Sequence, residues 1–198
     1  MPKIKIHYSL IFLLILSLFT DNFFQILLII LSILVHESCH YLVINHYLNS
    51  NYKIEISIIG GMLEVNKNNL NLKQKLLVDF SGIIGNILII ILVKISRLQT
   101  LNFLMTYNLS MIVFNLIPIL PLDGFQIVND LLLSIYEEEF TFVIIKIVDY
   151  ICLIVLGIII LYLKIYGLFL IWIFLVYKIF TYNIDFSKIK KYYLFSKK

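Results

Sequence analysis

The chain has 198 residues, 61% of them hydrophobic, with a mean hydropathy of +0.98 and a formal net charge of +4. Ordinary soluble domains run nearer half apolar, so this composition excludes one and leaves no large polar segment from which another could be built. The positive charge lies mostly in lysines near the two ends, which points to cytosolic flanks of a polytopic membrane protein and not to nucleic-acid binding.

Six apolar segments follow in chain order, at about 8–20, 23–45, 76–95, 101–121, 142–163 and 165–182. The first, Tyr8 to Phe19, resembles the core of a signal peptide. No small-residue cleavage site follows it, so it is read as a first, short span. Only Thr20-Asp21-Asn22 separates it from the second, which predicts a tight antiparallel pair. The fifth and sixth meet near Lys164 and Gly167 with almost no loop, and they read as packing and lipid-facing helices. An even number of spans puts both termini on one side. That side carries Lys3, Lys5, Lys53, Lys67, Lys73, Lys75, Lys188, Lys190, Lys191, Lys197 and Lys198, whereas the other carries only Lys94, Arg97 and Lys164. The lysine bias therefore places both termini in the cytosol, and the acidic Glu137-Glu138-Glu139 run changes this little. Cys39 and Cys152 both fall in apolar runs, so no disulfide framework is expected.

The second segment carries the chemistry, in Leu34-Val35-His36-Glu37-Ser38-Cys39-His40. On a helix, His36 and His40 lie one turn apart on one face. Two imidazoles at that spacing can grip one zinc ion while Glu37 activates the attacking water. Such groups are costly at membrane depth, where they mark function. Cys39, one turn from His36, reads as a small thiol on a packed helix. His7 and His46 read as solvated groups near the interface.

Between the second and third segments, Ile54-Glu55-Ile56-Ser57 alternates apolar and polar, and Gly60-Gly61 is a turn signal. This predicts a short β-hairpin at the cytosolic face, dipping into the membrane, whose edge could pair with an extended substrate. In the third segment Gly82 and Gly85 permit close helix packing, and Asn86 is a buried amide that reads as structural glue. Asp79 reads as a cap or a lysine partner. The fourth segment ends in Asn115-Leu116-Ile117-Pro118-Ile119-Leu120-Pro121-Leu122-Asp123-Gly124. Pro118 and Pro121 remove backbone donors and break the helix. Gly124 then allows a turn, and the Asp123 carboxylate is delivered near the cytosolic side. His36 is expected about 12 Å from the cytosolic end of its helix, at a depth that matches Asp123. Two histidines, one carboxylate and an open position make a catalytic zinc site, not a structural one closed by four protein ligands.

Together, His36-Glu37-Ser38-Cys39-His40 and the Asn115 to Gly124 run resemble the site-2 protease family of intramembrane zinc metalloproteases. The resemblance runs from about Ser32 to Phe125, and the six-span layout extends it over nearly the whole chain. It implies one zinc per chain held by His36, His40 and Asp123, with Glu37 as the catalytic carboxylate. Asn115 would bind substrate, and Gly60 and Gly61 would belong to a re-entrant element. Ser81-Gly82-Ile83-Ile84-Gly85-Asn86 resembles the family's Gly-Pro-x-x-Asn motif, with Ile83 where proline is usual. The compact plan looks most like the sporulation branch. That implies a substrate of the pro-sigma-K kind, inhibitory membrane partners, and residence in the mother-cell membrane around the forespore. The expected organisation is an all-α, single metalloprotease domain over 1–198 with a core at 23–125 and neither PDZ nor CBS domain. Three competing readings are a general site-2 protease acting on another membrane protein, a zinc transporter or metal-sensing membrane protein using the same ligands, and an inactive scaffold. The polar groups cluster on one side rather than lining a path through both leaflets, against a transporter, and the intact Glu37 speaks against a scaffold.

Overall fold

The computed structural model describes residues 3–6, 22–48, 53–57, 60–64 and 69–181. The expected first span, His7, Lys67 and the tail lysines lie outside them. The elements in chain order are β1 (Lys3–Ile6), α1 (Phe23–Tyr47), β2 (Lys53–Ser57), β3 (Gly60–Glu64), α2 (Leu72–Ser96), α3 (Asn102–Asn115), α4 (Asp123–Leu133), α5 (Glu138–Leu163) and α6 (Phe169–Thr181). The chain divides into two compact units, Met1–Ile117 and Pro118–Lys198. The division falls at the first of the two helix-breaking prolines.

In the first unit α1 packs on α2, and α2 on α3. Ile30, Ser32, Ile33, His36, Glu37, His40 and Ile44 are the buried residues of α1. Their three- and four-residue spacing defines a single helical face. Below it, Ile30, Ile44, Leu48, Leu70 and Val78 form a buried apolar cluster. Opposite, α2 buries Val78, Asp79, Ser81, Gly82, Ile83, Gly85, Asn86 and Val93, a stripe rich in small and polar side chains. Its other side exposes Leu88, Leu92 and Ile95, as a helix facing lipid would.

Three expectations are corrected here. The third segment begins at Leu72 and not near position 76, because Asn71 and Gln74 form a capping box: Asn71 Oδ1 accepts from the Gln74 amide at 2.9 Å, and Gln74 Oε1 accepts from the Asn71 amide at 3.0 Å. That reciprocal pair satisfies two backbone donors that a bare helix end would leave open. Asp79 is therefore no cap; it is a buried residue inside the helix. Gly60 and Gly61 are not the turn. Ser57 pairs with Gly60 and Ile56 with Gly61 in the antiparallel β2–β3 ladder, so the glycines open β3. β1, part of the basic N-terminal flank, pairs in parallel with β2 to give the order β1-β2-β3. Its four residues are too short for alternation to be read with force.

In the second unit, α5 buries Thr141, Ile145, Asp149, Leu153 and Ile160 along one side. Lys164 ends it in the left-handed conformation (φ 54°), with the Ile165 amide donating back to the Ile160 carbonyl at 3.2 Å. A 3₁₀ turn at Tyr166–Leu168 leads into α6. There the Trp172 indole N–H donates to the Leu153 carbonyl at 2.9 Å. A Cβ on Gly157 would meet that indole nitrogen at 3.2 Å, so the glycine lets the ring approach the α5 backbone.

Among the described residues, α1, α2 and α5 are long and apolar enough to cross a membrane. The fourth segment stops as a helix at Asn115, 14 residues from its start, and α6 is shorter still. Both fall below the roughly 20 residues a helical crossing needs.

The α1–α2 contact is close at Gly85, where an added Cβ would lie 2.7 Å from Cys39 Sγ and 3.6 Å from the Val35 carbonyl. Gly85→Ala should destabilise the protein by about 1–3 kcal/mol through overpacking. Cys39→Ala should recover most of that loss in the double variant. Thermal unfolding in detergent checks it; equal losses with and without Cys39 would show that the sulfur is not what Gly85 accommodates.

Candidate metal centre

His36, Glu37 and His40 are only 2–3% exposed. His36 stands one residue past Val35, the midpoint of α1, and about 16 Å from the Tyr47 end at 1.5 Å per residue. That is deeper along the helix than the sequence reading placed it. The two rings meet edge to face, with centroids 4.9 Å apart. Their Nε2 atoms face each other at 3.2 Å. Two nitrogens about 2.05 Å from a tetrahedral zinc stand roughly 3.3 Å apart, so this separation fits a shared ion.

The far side of each ring is held by α2. His40 Nδ1 lies 2.8 Å from the Val78 carbonyl and 3.1 Å from Ser81 Oγ. A carbonyl only accepts, so the proton of His40 is on Nδ1 and its Nε2 carries the lone pair. Ser81 Oγ in turn donates to the Val78 carbonyl at 2.6 Å. At His36, Nδ1 meets the Asn86 amide nitrogen at 3.1 Å. Val78, Ser81, Gly82, Gly85 and Asn86 share a face of α2, which is why one helix can serve both imidazoles.

Gly82 faces the space beside the two Nε2 atoms. A Cβ there would come within 2.6 Å of His36 Nε2 and closer still to His40 Nε2. The absent side chain leaves a cradle where an ion would sit. Gly82 and Gly85, both expected only to permit packing, thus divide the work: one faces the imidazoles and the other faces Cys39. Cys39 itself is half-buried against Gly85, in keeping with a packed thiol. His46 is exposed and stacks edge-on against Tyr47.

In the second unit, Asp123 is the first residue of α4, where its carboxylate complements the positive end of the helix. Gly124 is buried in the first turn of that helix. It does not make the turn expected of it, because the chain has already reversed in the segment before. That segment is closed by the Leu122 amide donating to the Ile119 carbonyl at 2.8 Å, and by the Phe125 amide donating to the Leu122 carbonyl at 3.1 Å. The Leu120-Pro121 peptide is cis. The Leu120 amide donates to Asp149 Oδ1 at 3.3 Å. Asp149, 3% exposed on α5, went unnoticed in the sequence. An acidic residue inside a 26-residue apolar helix is the same polar-at-depth signal that marks His36. In the first unit, Asn115 is the last residue of α3 and is buried. Gly60 and Gly61 are strand residues of β3.

Residues 92–159 match the family model of Peptidase family M50. The match covers Asn115, Pro118, Pro121, Asp123, Gly124 and Asp149 and stops short of the histidine helix. The fold is that of a solved structure described as "Site-2 Protease from Methanocaldococcus jannaschii": 22% identity, 90% of this chain and 89% of that chain covered, TM-score 0.71. No curated protein matches the chain. The family match supports a zinc metalloprotease of the intramembrane type, and with the three candidate spans it supports an integral membrane location.

In the first unit, His36 and His40 offer two imidazole nitrogens at a spacing that suits zinc. Gly82→Ala should place a methyl group in the cradle and weaken zinc binding by at least about tenfold, the scale on which disturbed ligand orientation acts. Metal content of the purified protein, with helicity as the control for folding, checks this; wild-type zinc content in the variant would show that the cradle is not where the ion sits.

Proposed function

We propose that the chain is an intramembrane zinc endopeptidase that cuts a membrane-associated protein near the cytosolic face. The observation that carries the reading is the pair of buried Nε2 atoms 3.2 Å apart on an apolar helix, with Glu37 beside them. His36, His40 and Asp123 would hold the ion. When bound, zinc would acidify water and polarise the scissile carbonyl. The chain's own residues do the rest. Glu37 takes the proton of the attacking water and returns it to the leaving amine. The hydrogen bonds from α2 keep both imidazoles turned inward. Asn115 holds the substrate backbone. β3, on the outer edge of the sheet, keeps the substrate extended by strand addition, with Gly60 and Gly61 allowing close approach. Pro118, Pro121 and Gly124 shape the segment that presents Asp123, and Asp149 anchors it through the Leu120 amide.

The finer reading is a six-span protein with both termini in the cytosol. Its compact plan is most like stage IV sporulation protein FB. It would remove the pro-sequence of a pro-sigma-K-like factor in the mother-cell membrane around the forespore, restrained by inhibitory membrane partners. A general site-2 protease acting on another membrane protein is the alternative.

Co-expression with a tagged pro-sigma-K-like substrate tests both levels. Glu37→Gln keeps the size of the side chain and loses the base, so product formation should fall by about 10²- to 10⁴-fold while bound zinc is retained. Undiminished cleavage by Glu37→Gln would sink the protease mechanism. Cleavage by wild type of a different membrane protein, with the sigma-type substrate left intact, would select the alternative.

A further inference from the structure

We propose that Asn86 is a positioning residue that decides whether His36 can take a metal. Its amide, turned to present Oδ1, holds the Nδ1–H of His36 and leaves the lone pair on Nε2. The inference rests on the zinc reading above.

A neutral imidazole carries one N–H. On His40 the Val78 carbonyl fixes it at Nδ1, 2.8 Å away. On His36 the group at Nδ1 is the Asn86 amide, at 3.1 Å. With the amide nitrogen facing the ring, Nδ1 must accept, and the ring proton is driven to Nε2. That proton then points at His40 Nε2, 3.2 Å away, and the two histidines are bonded to each other. The same orientation leaves Asn86 Oδ1 buried with no hydrogen-bond partner, in a side chain with 0% exposure. Such an acceptor costs stability wherever it is left unmet.

Half a turn of the amide exchanges its oxygen and nitrogen without changing its shape. Oδ1 then accepts from His36 Nδ1–H, and the ring proton leaves Nε2. Both histidines then turn Nε2 lone pairs toward each other across 3.2 Å. Two facing lone pairs repel, and a cation between them removes the repulsion. One orientation of Asn86 therefore closes the pair on itself, and the other opens it to metal.

The test uses the full chain in detergent, stripped of metal and titrated with zinc against a competing chelator, then with cobalt to read the ligand field. Asn86→Asp offers only acceptors and should bind zinc within about threefold of wild type with the same cobalt spectrum. Asn86→Leu offers none and should bind about 10- to 100-fold more weakly, the usual scale for losing a group that orients a ligand. Elution as a single species and helical circular dichroism report folding independently. A variant that fails there is replaced by the matched pair Asn86→Thr and Asn86→Val, alike in shape, of which only the first can accept; the threonine variant should bind tighter. Zinc binding by Asn86→Leu equal to wild type overturns the proposal, as does Asn86→Asp as weak as Asn86→Leu. Wild-type protein that takes up no zinc overturns the metal reading itself, and this inference with it.

Discussion

Imidazole nitrogens inside an apolar helix pair must find hydrogen bonds, and that requirement organises the first unit. Each ring of α1 has a side satisfied by α2 and a side turned to the other ring. α2 supplies the satisfied side, with a carbonyl and a hydroxyl for His40 and an amide for His36. To do so its backbone must lie close, and glycines at 82 and 85 remove the side chains that would keep it away. The apolar cluster around Ile44 and Val78 holds the helices together beneath the polar pair, so burial of ordinary side chains supports the unusual ones. A helix pair joined by leucines alone would stand farther apart and leave the imidazoles unmet, at a cost of about 1–3 kcal/mol for each lost partner.

The second unit solves a different problem, that of ending a helix inside an apolar segment. Pro118 and Pro121 deprive the chain of backbone donors, and the remaining amides there need acceptors. Leu122 and Phe125 find carbonyls within the segment, while Leu120 finds the carboxylate of Asp149. The apolar side chains of Ile119 and Leu122 are almost fully buried, so the irregular backbone is tethered by packing as well. Non-helical backbone is tolerated at membrane depth only when it is enclosed in this way. Asp123 follows directly as the first residue of α4, and its position is inherited from the anchored segment.

The helices, the histidine pair and the break at the prolines could be read from the sequence because each rests on a local rule: apolar run length, one-turn spacing, a missing N–H. What could not be read depends on partners far along the chain. Nothing local tells that Asn86 would meet His36 fifty positions away, or that Gly82 would face both imidazoles. The strand at Lys3–Ile6 needs β2 to exist at all. The turn was misplaced onto Gly60-Gly61 because a glycine pair usually marks one, whereas the register with β2 uses those residues as strand. Asp149 is the instructive omission. It was visible as a charge in an apolar helix, but one isolated carboxylate makes no motif, and its meaning lies in the amide it meets.

The arrangement of small residues bears on how such a centre can work in an apolar surrounding. A reaction at the Nε2 side of the rings needs space that no side chain fills, yet close packing normally leaves few voids larger than a water molecule. A glycine opposite two fixed rings reconciles these demands, since it opens a gap of one missing side chain while the helix backbones stay in contact. Fixing the rings by their Nδ1 sides also means that their geometry is set before any ion or substrate arrives, so binding need not order them. The stiffness of the α1–α2 pair and the close approach of its backbone to both Nε2 atoms thus follow from one choice of residues along α2.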